Sequence, residues 1–276
     1  MNPTLRPPGV AGMFYPQSPA ALGSEVADLL ARAPSPALTA KALVAPHAGY
    51  VYSGATAAAV YASLAPRRAV IRRVVLLGPT HRVAVRGLAL PASAAFATPL
   101  GTIPVDRAAV AAIADLPQIV VSEAAHAAEH ALEVQLPFLQ CALDDFSLVP
   151  LAVGQASPED VAEVLERLWG GPETLIVISS DLSHYLPYDA ARATDADTAR
   201  RILALDPHID HRQACGATPL NGLLLAARRH GLQATLVELC NSGDTAGDKS
   251  RVVGYGAFAF CAASAAPPPG VSAHAR

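Results

Sequence analysis

Three short stretches, each closing an apolar run, carry side chains able to bind a metal or act as nucleophiles. They are Pro46-His47-Ala48-Gly49-Tyr50, Gly78-Pro79-Thr80-His81 and Leu239-Cys240-Asn241-Ser242-Gly243-Asp244. Neutral imidazoles are the commonest transition-metal ligands, and a thiolate is either a soft ligand or a nucleophile. Ligands of open α/β sheets bind outside the carboxyl ends of the strands. His47, His81 and Cys240 therefore form the predicted metal set. Gly49 lets a ligand approach the backbone beside His47. A fourth loaded strand end is Ser179-Ser180-Asp181-Leu182-Ser183-His184-Tyr185. There Asp181 is close enough in a turn to orient the His184 imidazole, as a general base requires, although the same residues also suit a helix cap.

His126, His130 and Glu133 fall on one face at helical spacing, with Glu129 beside them. Without the glutamate of an H-E-x-x-H motif, this reads as a polar helix face at a cleft mouth. Tyr50, His130 and Asp244 are the predicted cleft residues. Cys141, Cys215 and Cys261 lie in apolar surroundings and read as small buried hydrophobes. Gly243 to Ser250 has the outline of a phosphate loop, but Asp248 stands where the second glycine belongs, which excludes it.

To bring these residues together the chain needs strands that end side by side. Lys41 to Pro46 and Arg73 to Leu77 read as buried strands. An Ala-rich helix over Gly54 to Leu64, capped by Ser53, joins them into a βαβ unit with adjacent parallel strands. Leu88 to Pro104 reads as irregular strands and turns, and Asp106 to Ala114 as a helix. Ala125 to Leu143 reads as one long helix kinked at Pro137. Strands follow at Phe146 to Val153, Thr174 to Ser179, Ala234 to Leu239 and Val252 to Cys261. Helices are predicted at Pro158 to Leu168, Ala190 to Leu205 and Cys215 to His230. The alternation predicts a single α/β domain over residues 1–262, three layers around a mainly parallel sheet. Residues 263–276, rich in Ala, Pro, Ser and Gly, read as a disordered tail.

Composition narrows the function classes. A net charge of −3 without a basic block argues against nucleic acid or an anionic membrane surface as partner. No apolar run is long enough to span a bilayer, and Met1 to Pro8 hold no apolar signal core. Four widely spaced cysteines with no CxxC predict free thiols in a reducing, cytoplasmic setting.

Several ordered motifs resemble the Memo family, whose prokaryotic members are also called AmmeMemoRadiSam system protein B. They are Pro46-His47-Ala48-Gly49-Tyr50 with Tyr52-Ser53-Gly54, Gly78-Pro79-Thr80-His81, Glu129-His130-Ala131-Leu132-Glu133-Val134-Gln135-Leu136-Pro137-Phe138, Ser180-Asp181-Leu182-Ser183-His184-Tyr185 and Asn241-Ser242-Gly243-Asp244. The opening Arg6-Pro7-Pro8-Gly9-Val10-Ala11-Gly12-Met13-Phe14-Tyr15-Pro16 is similar as well. The resemblance implies a fold like that of the class III extradiol dioxygenases, in which two histidines and a glutamate hold Fe(II) and a further histidine is the acid/base. Carried over, His47 and His81 match the ligand histidines, Cys240 takes the carboxylate's place, and His184 matches the acid/base, with Asp181 beside it. A thiolate there is softer than a carboxylate and open to oxidation, so dioxygenase activity does not transfer with the fold. The family also implies a redox-linked metal, iron or copper, peptide recognition in eukaryotes, and a radical SAM protein as prokaryotic partner. Three readings follow: a metal-dependent oxidoreductase acting on a small molecule, a non-catalytic peptide- or protein-binding module using the same cleft, and a cysteine hydrolase. The last lacks an oxyanion-hole signature and leaves one histidine superfluous.

Overall fold

The computed structural model describes residues 5–34 and 38–263. Its strands, in chain order, are β1 (Leu5–Arg6), β2 (Ala40–Ala45), β3 (Arg73–Pro79), β4 (Leu88–Leu90), β5 (Ala95–Thr98), β6 (Gly101–Pro104), β7 (Ile119–Val121), β8 (Ser147–Val153), β9 (Thr174–Ser179), β10 (His184–Leu186), β11 (Leu232–Asn241) and β12 (Val252–Ala262). Nine of them form the main sheet, in the order β10-β12-β2-β9-β3-β8-β4-β7, with β11 also paired to β12; β1-β5-β6 make a small second sheet. The centre, β2-β9-β3-β8, is parallel, and β12 joins it antiparallel to β2.

The central strands are apolar almost throughout because both of their faces are covered. Alternate residues enter two separate cores. Leu43, Ala45, Val74, Leu76, Leu175 and Val177 pack on one face beneath the helices Pro19–Arg32, Tyr50–Tyr61 and Leu136–Ala142. Ala42, Val44, Val75, Leu77, Ile176 and Ile178 pack on the other beneath Pro158–Leu168, Tyr188–Leu203 and Ala217–Arg229. The result is the expected three-layer α/β domain. Among the described residues no helix is long and apolar enough to cross a membrane. The expected tail lies, but for Ala263, outside the described residues.

Three local expectations are corrected. First, β2 and β3 are not neighbours, since β9 lies between them and bonds both. The crossover skips one strand, which leaves room for a third loop between His47 and His81. Second, the first crossover helix starts at Tyr50 with Gly49 as its cap, so Ser53 is inside it and its hydroxyl donates back to the Ala48 carbonyl. Third, the long helix over Ala125 to Leu143 is three short ones, Glu123–Ala127, His130–Glu133 and Leu136–Ala142. Glu129 breaks it, adopting an extended conformation and capping the second piece by accepting from the Ala131 N–H. Pro137 then sits in the first turn of the third piece, where its missing N–H costs nothing.

Candidate metal centre

His47 and His81 both lie just past the ends of their strands, β2 at Ala45 and β3 at Pro79. Free of the ladder, their side chains turn over the sheet's rim. Ser180 and Asp181, following β9, fasten the middle loop to the first: the Ser180 N–H donates to Ala45 and the His47 N–H donates to Asp181 Oδ1 at 2.7 Å. The short helix His130–Glu133 packs onto β3 at Gly78. A Cβ there would stand 3.0 Å from Leu132 and 3.3 Å from Ala131, so glycine permits the close seat. That seat delivers a third imidazole. One ring nitrogen each of His47, His81 and His130 lies within 4.8 Å of the other two.

Hydrogen bonding fixes which nitrogens are free. The Ser179 hydroxyl donates its one proton to the Ala131 carbonyl at 2.6 Å and accepts from Gln135. Its bond to His47 Nδ1 at 2.9 Å must therefore be received from the imidazole, leaving Nε2 unprotonated as the ring's acceptor. His81 Nδ1 lies 2.8 Å from Glu129 Oε1, and the His81 backbone N–H also donates to that carboxylate. Burial works against the Glu129 charge, but these bonds outweigh it and hold the group down to about 2. An ionised acceptor keeps the His81 proton on Nδ1 and turns Nε2 outward, the arrangement seen behind metal-bound histidines. Burial, together with its neighbouring imidazoles, pushes His47 down to about 3 and His130 down to about 4. Uncharged rings with free lone pairs are what a transition-metal cation requires.

The cluster opens into a cavity of about 600 Å3 that Asp181 and His184 also line. His184 Nδ1 is 2.8 Å from the Leu182 carbonyl, which accepts its proton and leaves Nε2 as a base. Asp181 is 5 % exposed, and burial pushes its carboxyl up. These two expected residues thus face the same space as the imidazoles.

Other expectations are not met. Cys240 is still inside β11, paired with Tyr255, so its side chain stands off the sheet against Thr56, whose Oγ1 lies 3.0 Å from the sulfur. It is not in the three-residue group and lines a separate small cavity with Asp195. Asp244 is there too, spent on capping Asn241 and accepting from the Tyr188 hydroxyl. Tyr50 is core, its hydroxyl donating to the Val134 carbonyl. The thiol beside the imidazoles is instead Cys215, read from sequence as an inert core residue: its Sγ lies 3.3 Å from His47 Nε2. Gly216 makes this possible, since a Cβ there would stand 2.7 Å from that of Ser180. His126 and Glu133 turn away from the cavity. His126 Nε2 donates to the Ala89 carbonyl, while Glu133 is fully buried against Arg6, Tyr15 and the Gly9 and Val10 amides.

Relatives are consistent with a shared scaffold. A MEMO1 family protein of Archaeoglobus fulgidus is 37 % identical, with 93 % of this chain and 99 % of that protein aligned. One from Methanosarcina barkeri is 38 % identical over 92 % and 99 %, and one from Aquifex aeolicus 36 % over 91 % and 97 %. The crystal structure of an uncharacterized protein from Escherichia coli K12 superposes with a TM-score of 0.50 at 15 % identity, covering 78 % of this chain and 98 % of that one, and so shares the fold. The family model described as Memo-like protein matches residues 6–259. With two strand-end imidazoles and a third from a short helix gathered at the rim of an α/β sheet, and a match of that length, the chain belongs to the Memo family.

Proposed function

We propose that the protein is a metal-dependent redox enzyme, its ion held by His47, His81 and His130. The observation that carries this is the convergence of three ring nitrogens within 4.8 Å, two of them backed by proton acceptors. Three nitrogen donors with an open side suit iron or copper, and such an ion supplies electron transfer and Lewis acidity. The protein's own contribution is proton handling and orientation. His184 Nε2, freed by the Leu182 carbonyl, takes a proton from a substrate in the cavity, and Asp181 holds the His47 loop in place through its backbone N–H. Glu129 and Ser179 keep the ligand rings from rotating. Cys240 has no part in this reading.

Anaerobic loading of the metal-free chain with Fe(II) or Cu(I), followed by oxidation under electron paramagnetic resonance, tests it. An ion that changes oxidation state reversibly without leaving the protein supports the reading. An ion that binds but exchanges no electrons supports the second reading, a non-catalytic module that captures a peptide or a protein in the same cavity. The cavity's exposed tyrosines, Tyr52 and Tyr185, favour that alternative, and a radical SAM protein is the partner to try first.

A further inference from the structure

The mouth of the cavity carries a pair of residues that metal binding does not use. Tyr185 has φ 58°, the left-handed conformation that bulky residues seldom adopt and that is tolerated mainly at functional sites. It is 62 % exposed, and its ring meets His184 edge-on at 5.8 Å. The Arg251 guanidinium lies 5.1 Å above that ring. Both residues line the same cavity as the three imidazoles and His184. Held over the ring face by its charge, the guanidinium spends no N–H on the ring's edge, and its donors can serve a carboxylate or phosphate.

Among the described residues no carboxylate takes those donors. Arg251 has no ion pair among the described residues, which is also true of other arginines such as Arg82 and Arg107, but Arg251 lies in the wall of the imidazole cavity. The two acids of the cavity wall are engaged elsewhere. Asp248 accepts from the Ser250 N–H and hydroxyl, and Asp181 accepts from the His47 N–H. The remaining wall includes Phe14, Tyr52 and the buried Tyr255. We infer that the cavity takes a small organic anion, its carboxylate or phosphate group paired with Arg251 on the Tyr185 ring and its apolar body against Phe14, Tyr52 and Tyr255. This rests on the metal-site reading above and names the substrate class of the same cavity.

Calorimetric titration of the full chain, metal-free and metal-loaded, with benzoate, phenyl phosphate and neutral benzamide tests the inference. In both forms one anion binds about ten-fold or more tighter than benzamide, as a charge-assisted bidentate pair requires. Which anion leads distinguishes carboxylate from phosphate. Arg251→Gln removes the preference, Arg251→Lys keeps part of it, and neither changes metal content. Equal binding of all three probes, no binding of either anion, or a preference that survives Arg251→Gln overturns the inference. A preference confined to loaded protein and indifferent to Arg251→Gln assigns recognition to the metal, and the metal reading stands alone. Conversely, a chain that takes up no metal yet keeps an Arg251-dependent preference removes the metal reading and leaves the anion site.

Discussion

Two corners of one sheet rim carry metal-capable side chains, the imidazole cluster and the Cys240 corner, and only the first assembles a ligand set. The difference lies in where each residue stands relative to its last ladder pair. His47 and His81 are each two residues past the end of a parallel central strand, so their directions are set by loops that can converge. Cys240 is one residue short of the end of β11, and its direction is set by the pleat, toward Thr56. β12 also separates β11 from β2, which moves Cys240 sideways by about 10 Å at ordinary strand spacing. A strand-end position is thus not enough; a ligand has to leave the ladder.

Removing one member of the cluster should have the largest effect. His81→Ala is expected to weaken metal binding by more than about 100-fold in a competition assay with a chromophoric chelator, beyond the range of an outer residue. Glu129→Gln, which keeps the shape but removes the charge behind His81, is expected to cost about 10–100-fold in the same assay. Asp195→Asn, the matching change in the Cys240 corner, should leave metal affinity unchanged; a loss there would mean that the corners communicate.

His126 sharpens the contrast from another side, as an imidazole used wholly for structure. Burial, partly opposed by its bond to Ala89, pushes it down to about 4. The unfolded chain takes up this proton near the ordinary histidine value of about 6.5, the folded chain only near 4. Between those values the unfolded state binds more protons, so stability falls as pH falls through that window. The His126 share of the loss is about 2 kcal/mol between about pH 7 and about pH 5. Denaturant unfolding at the two pH values should show a smaller loss in His126→Gln than in the parent chain, and equal losses would contradict this assignment. The smallest effect on stability belongs to Cys240→Ala, where losing the contact with Thr56 should cost about 1 kcal/mol.

The fold was legible because its signal is redundant. The apolar runs of β8 and β9, and the helix Pro158–Leu168 with its Ser157 cap, announce themselves in composition and punctuation. The loops carrying His47, His81 and Asp181 were legible for the same reason, each following such a run. The sequence places His130 in the cleft but not among the ligands. A continuous helix would have grouped it with His126 and Glu133, and the break depends on the Glu129 carboxylate serving both Ala131 and His81, a tertiary arrangement that periodicity cannot report. Apolar sequence surroundings make Cys215 read as core, and only the seating of Gly216 on Ser180 brings its thiol to His47.

Metal content, measured by mass spectrometry on wild type, His130→Ala and Cys240→Ala purified side by side without chelators, tests the central claim most directly. Wild type and Cys240→Ala should carry the same stoichiometric metal, and His130→Ala should carry almost none. A His130→Ala protein that keeps its metal while Cys240→Ala loses it would contradict the three-imidazole centre.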